Sequence, residues 1–195
     1  GNTGTLTATN TVTNSGTFTN DGSFTAVDLE NKETSTFDNT GTLTATNTVA
    51  NSGTFTNDGS FTAVDLENKE TSTFDNTGTL TATNTVTNSG TFTNKTAGTL
   101  TNINTVTNYK TFTNDGSFTA VDLENKETST FDNTGTLTAT NTVTNSGTFT
   151  NDGSFTAVDL ENKETSTFDN TGTLTATNTV TNSGTFTNKT AGTLT

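Results

Sequence analysis

The sequence predicts an all-β fold, a three-sided parallel β-solenoid of about ten coils with about 18–20 residues in each, and three observations carry that prediction. A block TGTLTATNTV…TSTFDN begins at Thr3, Thr40, Thr77, Thr134 and Thr171, so the chain repeats every 37 residues except across one interval of 57. Within a block one large apolar residue marks each short segment: Leu6, Val12, Phe18, Phe24, Leu29, Phe37, then Leu43, at steps of 6, 6, 6, 5, 8 and 6. Across the long interval sits a partial copy of 20 residues, near 80–99, with Leu80, Val86, Phe92 and Leu100 at steps of 6, 6 and 8.

The partial copy sets the number of sides. Six segments per block suit two triangular coils or three flat ones, but an insert of three segments keeps later rungs in register only in a three-sided coil. Sorted by threes, the third side is Phe without exception: Phe18, Phe37, Phe55, Phe74, Phe92, Phe112, Phe131, Phe149, Phe168 and Phe186. The second side is Val or Leu from Val12 to Val180, and the first alternates Leu and Phe from Leu6 to Leu194, doubling Leu at Leu80 and Leu100.

Inside a segment such as GTFTN the alternation has a period of two, the signature of a strand. Gly, Phe and Asn share one face and the Thr residues the other. Gly stands two residues before each first-side anchor, from Gly4 to Gly192. Asn stands two after each second-side anchor (Asn14 to Asn182) and each third-side Phe (Asn20 to Asn188). Strands stacked ~4.7–4.9 Å apart place such residues directly over one another, so Phe rings are expected to pile face to face and Asn amides to form ladders. Gly and Asn at the corners are also expected for their tolerance of left-handed backbone angles.

The eight-residue steps, Leu29-ENKETST-Phe37 and Phe92-TNKTAGT-Leu100, read as corner loops bulging into solvent. The whole of 1–195 is therefore one solenoid of two-coil, 37-residue repeats plus a single-coil insert, roughly 48 Å long at the usual strand spacing. The lack of an initiating Met and of a capping coil suggests a segment of a longer rod.

Composition alone argues the other way, since Leu, Ile, Val and Phe make up 36 of the 195 residues, a level associated with disorder. A narrow triangular interior filled by one large residue in six removes the conflict. No apolar run is long enough to cross a bilayer, and no leader is present. A net charge of −13 with seven Lys and no Arg argues against nucleic acid as a partner. Catalysis has little to draw on: there is no His or Cys, and Ser23 and its equivalents lack an activating base. A carboxylate pair such as Glu30 and Glu33 copied four times along a uniform rod is a poor active site. The sequence reads as a non-enzyme without cofactor or metal.

Residues beside each anchor point outward. On the first side these are Thr or Ser throughout: Thr5, Thr7, Ser23, Thr25, Thr42, Thr44, Ser60, Thr62, Thr79, Thr81, Thr99, Thr101, Ser117, Thr119, Thr136, Thr138, Ser154, Thr156, Thr173 and Thr175. The second side mixes in Asp28, Glu30 and Ala50, and the third Asp38. The twenty acidic residues are four copies of Asp21, Asp28, Glu30, Glu33 and Asp38, read as a solvated acidic stripe that discourages lateral association rather than a Ca²⁺ site, since no EF-hand or GGxGxD loop accompanies them. The first-side array resembles the Thr-x-Thr rows of insect antifreeze proteins, which implies ice binding as one reading; the plainer one is that Thr is a soluble β-former. Asn94-Lys95-Thr96 and Asn188-Lys189-Thr190 match the N-glycosylation acceptor, and Tyr109-Lys110 replaces the usual Ser-Gly, read as repeat decay with an outward-snorkelling Lys.

The segments GTLTATNTVTNSGTFTN and TFDNTGTL resemble the G-x-L-x-N-x-G-x-L repeats of filamentous haemagglutinin-like bacterial surface adhesins, a likeness that spans the chain. It implies a triangular, right-handed β-helix, although a six-residue step also suits left-handed hexapeptide coils. It further implies a cell-surface or extracellular structural rod, stalk or fibre shaft. Ice binding through the first side and a self-assembling filament subunit stand as alternatives. The expected partners are neighbouring solenoid repeats or further copies end to end, with a host surface or ice beyond them, no nucleic acid and no insertion into a membrane.

Overall fold

Each TFTN-type unit alternates an inward apolar or Asn side chain with outward hydroxyls. In the computed structural model, which describes residues 1–195, these units form 29 short strands and no helix. Every pairing between them is parallel and links a strand to its counterpart one coil away, as Phe37 lies against Phe18 and Phe55. The third side makes one sheet of ten strands. Sides one and two make another of nineteen, because Ser154–Asn162 and Thr173–Asn182 each run unbroken around the corner between them. The insert is absorbed as one whole coil: Leu80 pairs with Leu100, Val86 with Val106 and Phe92 with Phe112, and the register continues beyond it.

The third-side rings form the expected spine. Successive centroids lie 4.6–5.1 Å apart and ring planes are inclined by 6–15°. First-side rings join it, Phe61 lying 5.4 Å from Phe55 and 6.1 Å from Phe74. The eight spine rings from Phe37 to Phe168 are wholly buried, each stabilising the rod by about 2–3 kcal/mol through removal of apolar surface from water. A column of small residues that the segment pattern did not single out completes the core: Ala26, Ala45, Ala63, Ala82, Ala120, Ala139 and Ala157, two residues past each first-side anchor.

Both Asn columns are continuous ladders. In one, each Nδ2 from Asn2 to Asn170 donates to the next coil's Oδ1 at 2.7–2.8 Å. In the other, from Asn14 to Asn182, the distances are 2.8–2.9 Å. The same amides also close the corners, Asn57 Nδ2 donating to Thr79 O at 3.2 Å. No buried side-chain nitrogen or oxygen lacks a partner, the condition under which a polar column inside a narrow core is tolerable.

The glycines serve close approach, not unusual backbone angles. No Gly has positive φ; a Cβ on Gly59 would fall 2.1 Å from Gly41 O, so the column is kept bare by its own stacking. The left-handed residues are instead Thr34, Thr71, Thr128 and Thr165, with φ of 61–66°, at the tips of the eight-residue loops. Those loops do bulge outward: Lys32, Glu33 and Thr34 are exposed while Ser35 turns in. The Ser35 hydroxyl lies 2.7 Å from Asn31 Oδ1 and 2.5 Å from Lys32 O, pinning a turn that a β-branched residue would otherwise resist.

Candidate functional site

The first side carries an uninterrupted hydroxyl array, and the register places its residues in two columns. Thr5, Ser23, Thr42, Ser60 and Thr79 stack in the leading column, continuing through Thr99, Ser117, Thr136 and Ser154 to Thr173. Thr7, Thr25 and Thr44 begin the trailing column, which ends at Thr175. Leading residues are exposed throughout, and trailing residues are half-buried from Thr25 onward. Rows repeat about every 4.8 Å along the rod, with about 7 Å between the two hydroxyl positions of a row. No charged residue interrupts the face, and none of the twenty hydroxyls bonds to another protein group.

Elsewhere on the rod some hydroxyls bond to carboxylates of the neighbouring coil. Thr40 donates to Asp21 at 2.7 Å and Thr134 to Asp115 at 2.7 Å; Thr77 and Thr171 donate likewise to Asp58 and Asp152. Thr85 donates to Asp65 at 2.6 Å. These Asp residues are thus joined to neighbouring coils, which a purely solvated stripe would not be.

Asp28 and its equivalents have a further task. The corner between sides one and two contains one residue fewer in four of the ten coils, as in Phe24-TAVD-Leu29 against Leu43-TATNT-Val49. The shorter coil has one carbonyl too few, and Asp28 Oδ1 supplies the acceptor: it takes the Thr48 amide at 3.1 Å and Asn47 Nδ2 at 2.8 Å. Asp65, Asp122 and Asp159 repeat this for Thr85, Thr142 and Thr179. At Asp159 the Thr179 hydroxyl, with Asn178 and the Thr179 amide behind it, holds the carboxyl below its ordinary range. Asp132 goes the other way: burial raises it, Thr150 partly offsets this, and Asp152 and Asp115 add to the rise.

Charge is spaced along the rod. Glu30, Glu67, Glu124 and Glu161 share one column but never occupy adjacent coils, being separated by Ala50, by Thr87 and Thr107, and by Thr144. This spacing gives the 37-residue, two-coil repeat a physical reason, since like charges on directly opposed strand positions repel. Lys32, Lys69, Lys126 and Lys163 each neutralise the Glu two residues earlier, while Lys95 and Lys189 reach Asp75 and Asp169.

No group of three potential ligands is arranged to hold a metal ion. Of the two glycosylation triplets, Asn94 is fully buried and bonded within its ladder, so its amide is out of reach of a transferase in the folded rod.

No curated protein and no solved structure matches the chain. The likeness to filamentous haemagglutinin-like repeats is supported in its coarser form, that of a β-solenoid in an adhesin-type surface protein. Residues 1–144 of the 195 match the model of the BigA fourth domain, and the chain belongs to that family.

Proposed function

We propose that this chain is a shaft segment of a bacterial surface adhesin, an extracellular rod that sets the distance between the cell and a binding tip. The observation that carries this reading is the continuity of the two Asn ladders and the Phe spine, which join every coil to the next without a hinge. Family membership supports the surface setting. A non-catalytic role accords with a sequence that offers no His or Cys and repeats its carboxylates evenly. The test is length: chains with added 37-residue blocks, imaged by electron microscopy or measured by X-ray scattering, should lengthen by about 9.6 Å per block. A length that grows with the square root of chain length, as for a flexible polymer, would sink the proposal.

A second reading is favoured by one observation, the unpartnered hydroxyls of the first side. Ten rows of Thr or Ser without a charge, the leading residue of each exposed and the hydroxyls unbonded to protein, form a surface whose hydrogen-bonding capacity is turned to solvent, as an ice-binding face requires. Thermal hysteresis and faceted crystals should appear with the intact chain and vanish when Thr79, Thr99 and Thr136 are replaced by Lys. Ordinary disc-shaped crystals with the unmodified chain would remove this reading.

A further inference from the structure

The four Glu-Thr loops stand like ribs along one corner, and their spacing is uneven. Loops at 32–35 and 69–72 are two coils apart, as are those at 126–129 and 163–166, whereas the insert puts three coils between the middle pair. At about 4.8 Å per coil the middle gap spans about 14 Å against about 10 Å elsewhere. It encloses a notch of about 450 Å³ lined by Glu70, Thr71, Ser89, Tyr109, Lys110 and Thr128.

Two residues that break the repeat, Tyr109 and Lys110, lie here, and the packing explains why they are allowed. Directly above each loop the chain has Gly, because a Cβ would meet loop carbonyls: that of Gly53 falls 2.3 Å from Ser35 O and that of Gly90 2.5 Å from Lys69 O. The coil beneath Lys110 has Gly90 and no loop, so no loop carbonyl excludes a long side chain here. Lys110 is also the one lysine of seven without a carboxylate within 4.0 Å. The sole Tyr of the chain, Tyr109, is 49 % exposed beside it.

The walls of the notch are fixed in advance. Thr71 and Thr128 hold φ of 64° and 63°, and each is followed by a buried Ser whose hydroxyl meets an interior Asn at 2.7 Å. Strained, pinned loops around an exposed aromatic and an uncompensated ammonium are the kind of preorganisation a binding site needs.

We propose that this notch binds a saccharide carrying a carboxylate, a function separate from the spacing role of the rod. The apolar face of a sugar ring matches the Tyr109 phenol, its carboxylate pairs with Lys110, and its hydroxyls donate to Glu70 and exchange bonds with Thr71, Ser89 and Thr128. The volume falls within the range of small-ligand sites, roughly 300–1,000 Å³. Elsewhere on a chain of net charge −13 a carboxylate is repelled, so Lys110 fixes the place. An acidic peptide suits the notch less well, because the flanking strands are paired on both edges and offer none for strand addition.

The test is an NMR titration of the full chain with D-glucuronic acid, methyl glucoside and a short oligoglutamate. Glucuronic acid should shift the signals of Ser89, Tyr109, Lys110 and Thr128. The double variant Tyr109→Ser with Lys110→Gly, which restores the ordinary repeat and so should fold, should weaken it by at least about tenfold. Lys110→Gln should reduce glucuronic acid to the affinity of methyl glucoside and leave the neutral sugar unchanged. Absence of shifts with glucuronic acid, equal affinity in the double variant, or preferential binding of oligoglutamate would each overturn the proposal.

Discussion

Two corners of the rod are closed by Asn ladders and the third by Ala, and the two solutions tolerate different things. At the ladder corners a buried amide spans three coils: Asn57 accepts from Asn39 at 2.8 Å, donates to Asn76 at 2.7 Å and reaches Thr79 O at 3.2 Å. Geometry there is fixed from below and above at once. The Ala corner has no such tie. It accepts both five- and six-residue steps, lets two strands run straight through it, and mends the missing acceptor from outside with Asp28 and its equivalents. Interior hydrogen bonds therefore keep the ladder corners in register while six- and eight-residue steps differ only in what bulges outside them, and exterior carboxylates make good a missing residue at the other.

The largest test of this contrast is Asn57→Ala. It leaves Asn76 Oδ1 and Thr79 O short of a donor inside the core, and chemical denaturation should show a loss of about 4 kcal/mol. Gly59→Ala comes next, at about 3 kcal/mol, because the new Cβ meets Gly41 O at 2.1 Å. Gly16→Ala, with nothing within 4 Å, is the control and should change little. At the Ala corner, Asp122→Ala strands the Thr142 amide, bonded at 3.1 Å, and should cost about 1.5 kcal/mol. A loss as large as that of Asn57→Ala would dissolve the distinction between corners.

Asn102 sharpens the comparison, since it is the single Asn in the Ala column. It pairs with Ala82 in register, donates to Asn84 O at 2.9 Å and Ala82 O at 3.3 Å and accepts from the Asn104 amide at 2.8 Å, with no Asn above or below it. Asn102→Ala should cost about 2 kcal/mol, less than Asn57→Ala because no ladder is broken. The smallest effect concerns pH. Burial raises the folded-state titration of Asp132 above its ordinary value of 3.8, so its ionisation opposes folding. Stability is then favoured below about pH 3.8 and lost as pH rises through the raised value. Asp132→Asn should raise the melting temperature slightly at pH 7, and the gain should fade below pH 3.8. A gain that persists unchanged at low pH would assign it to something other than charge.

Columns that repeat a distinctive side chain were legible from the sequence. Phe37 over Phe55 and Asn39 over Asn57 follow from counting alone, because a stacked coil converts sequence period into contact. The buried Ala column was not, since Ala63 resembles any small outward residue until the corner is seen to be tight. Thr34 was missed as the left-handed residue because composition favours Gly for that conformation, whereas here Ser35 pins the turn and Gly is needed beneath the next coil. The role of Asp28 depends on which backbone amide loses its partner when a corner shortens, a relation between coils that no single segment displays. On the first side the sequence located the array, and the hydrogen bonds add that none of its hydroxyls is taken up by a carboxylate, as Thr85 is by Asp65.

The whole-coil insert has a consequence for how such a molecule changes over generations. Any duplication or deletion in units of three segments returns the chain to the same phase, with Leu80 meeting Leu100 as smoothly as Leu43 meets Phe61. Recombination between near-identical stretches of its coding sequence would then alter reach in discrete increments while leaving every join sound, and each misplaced unit would widen one gap between ribs, supplying a fresh recess on an otherwise monotonous surface.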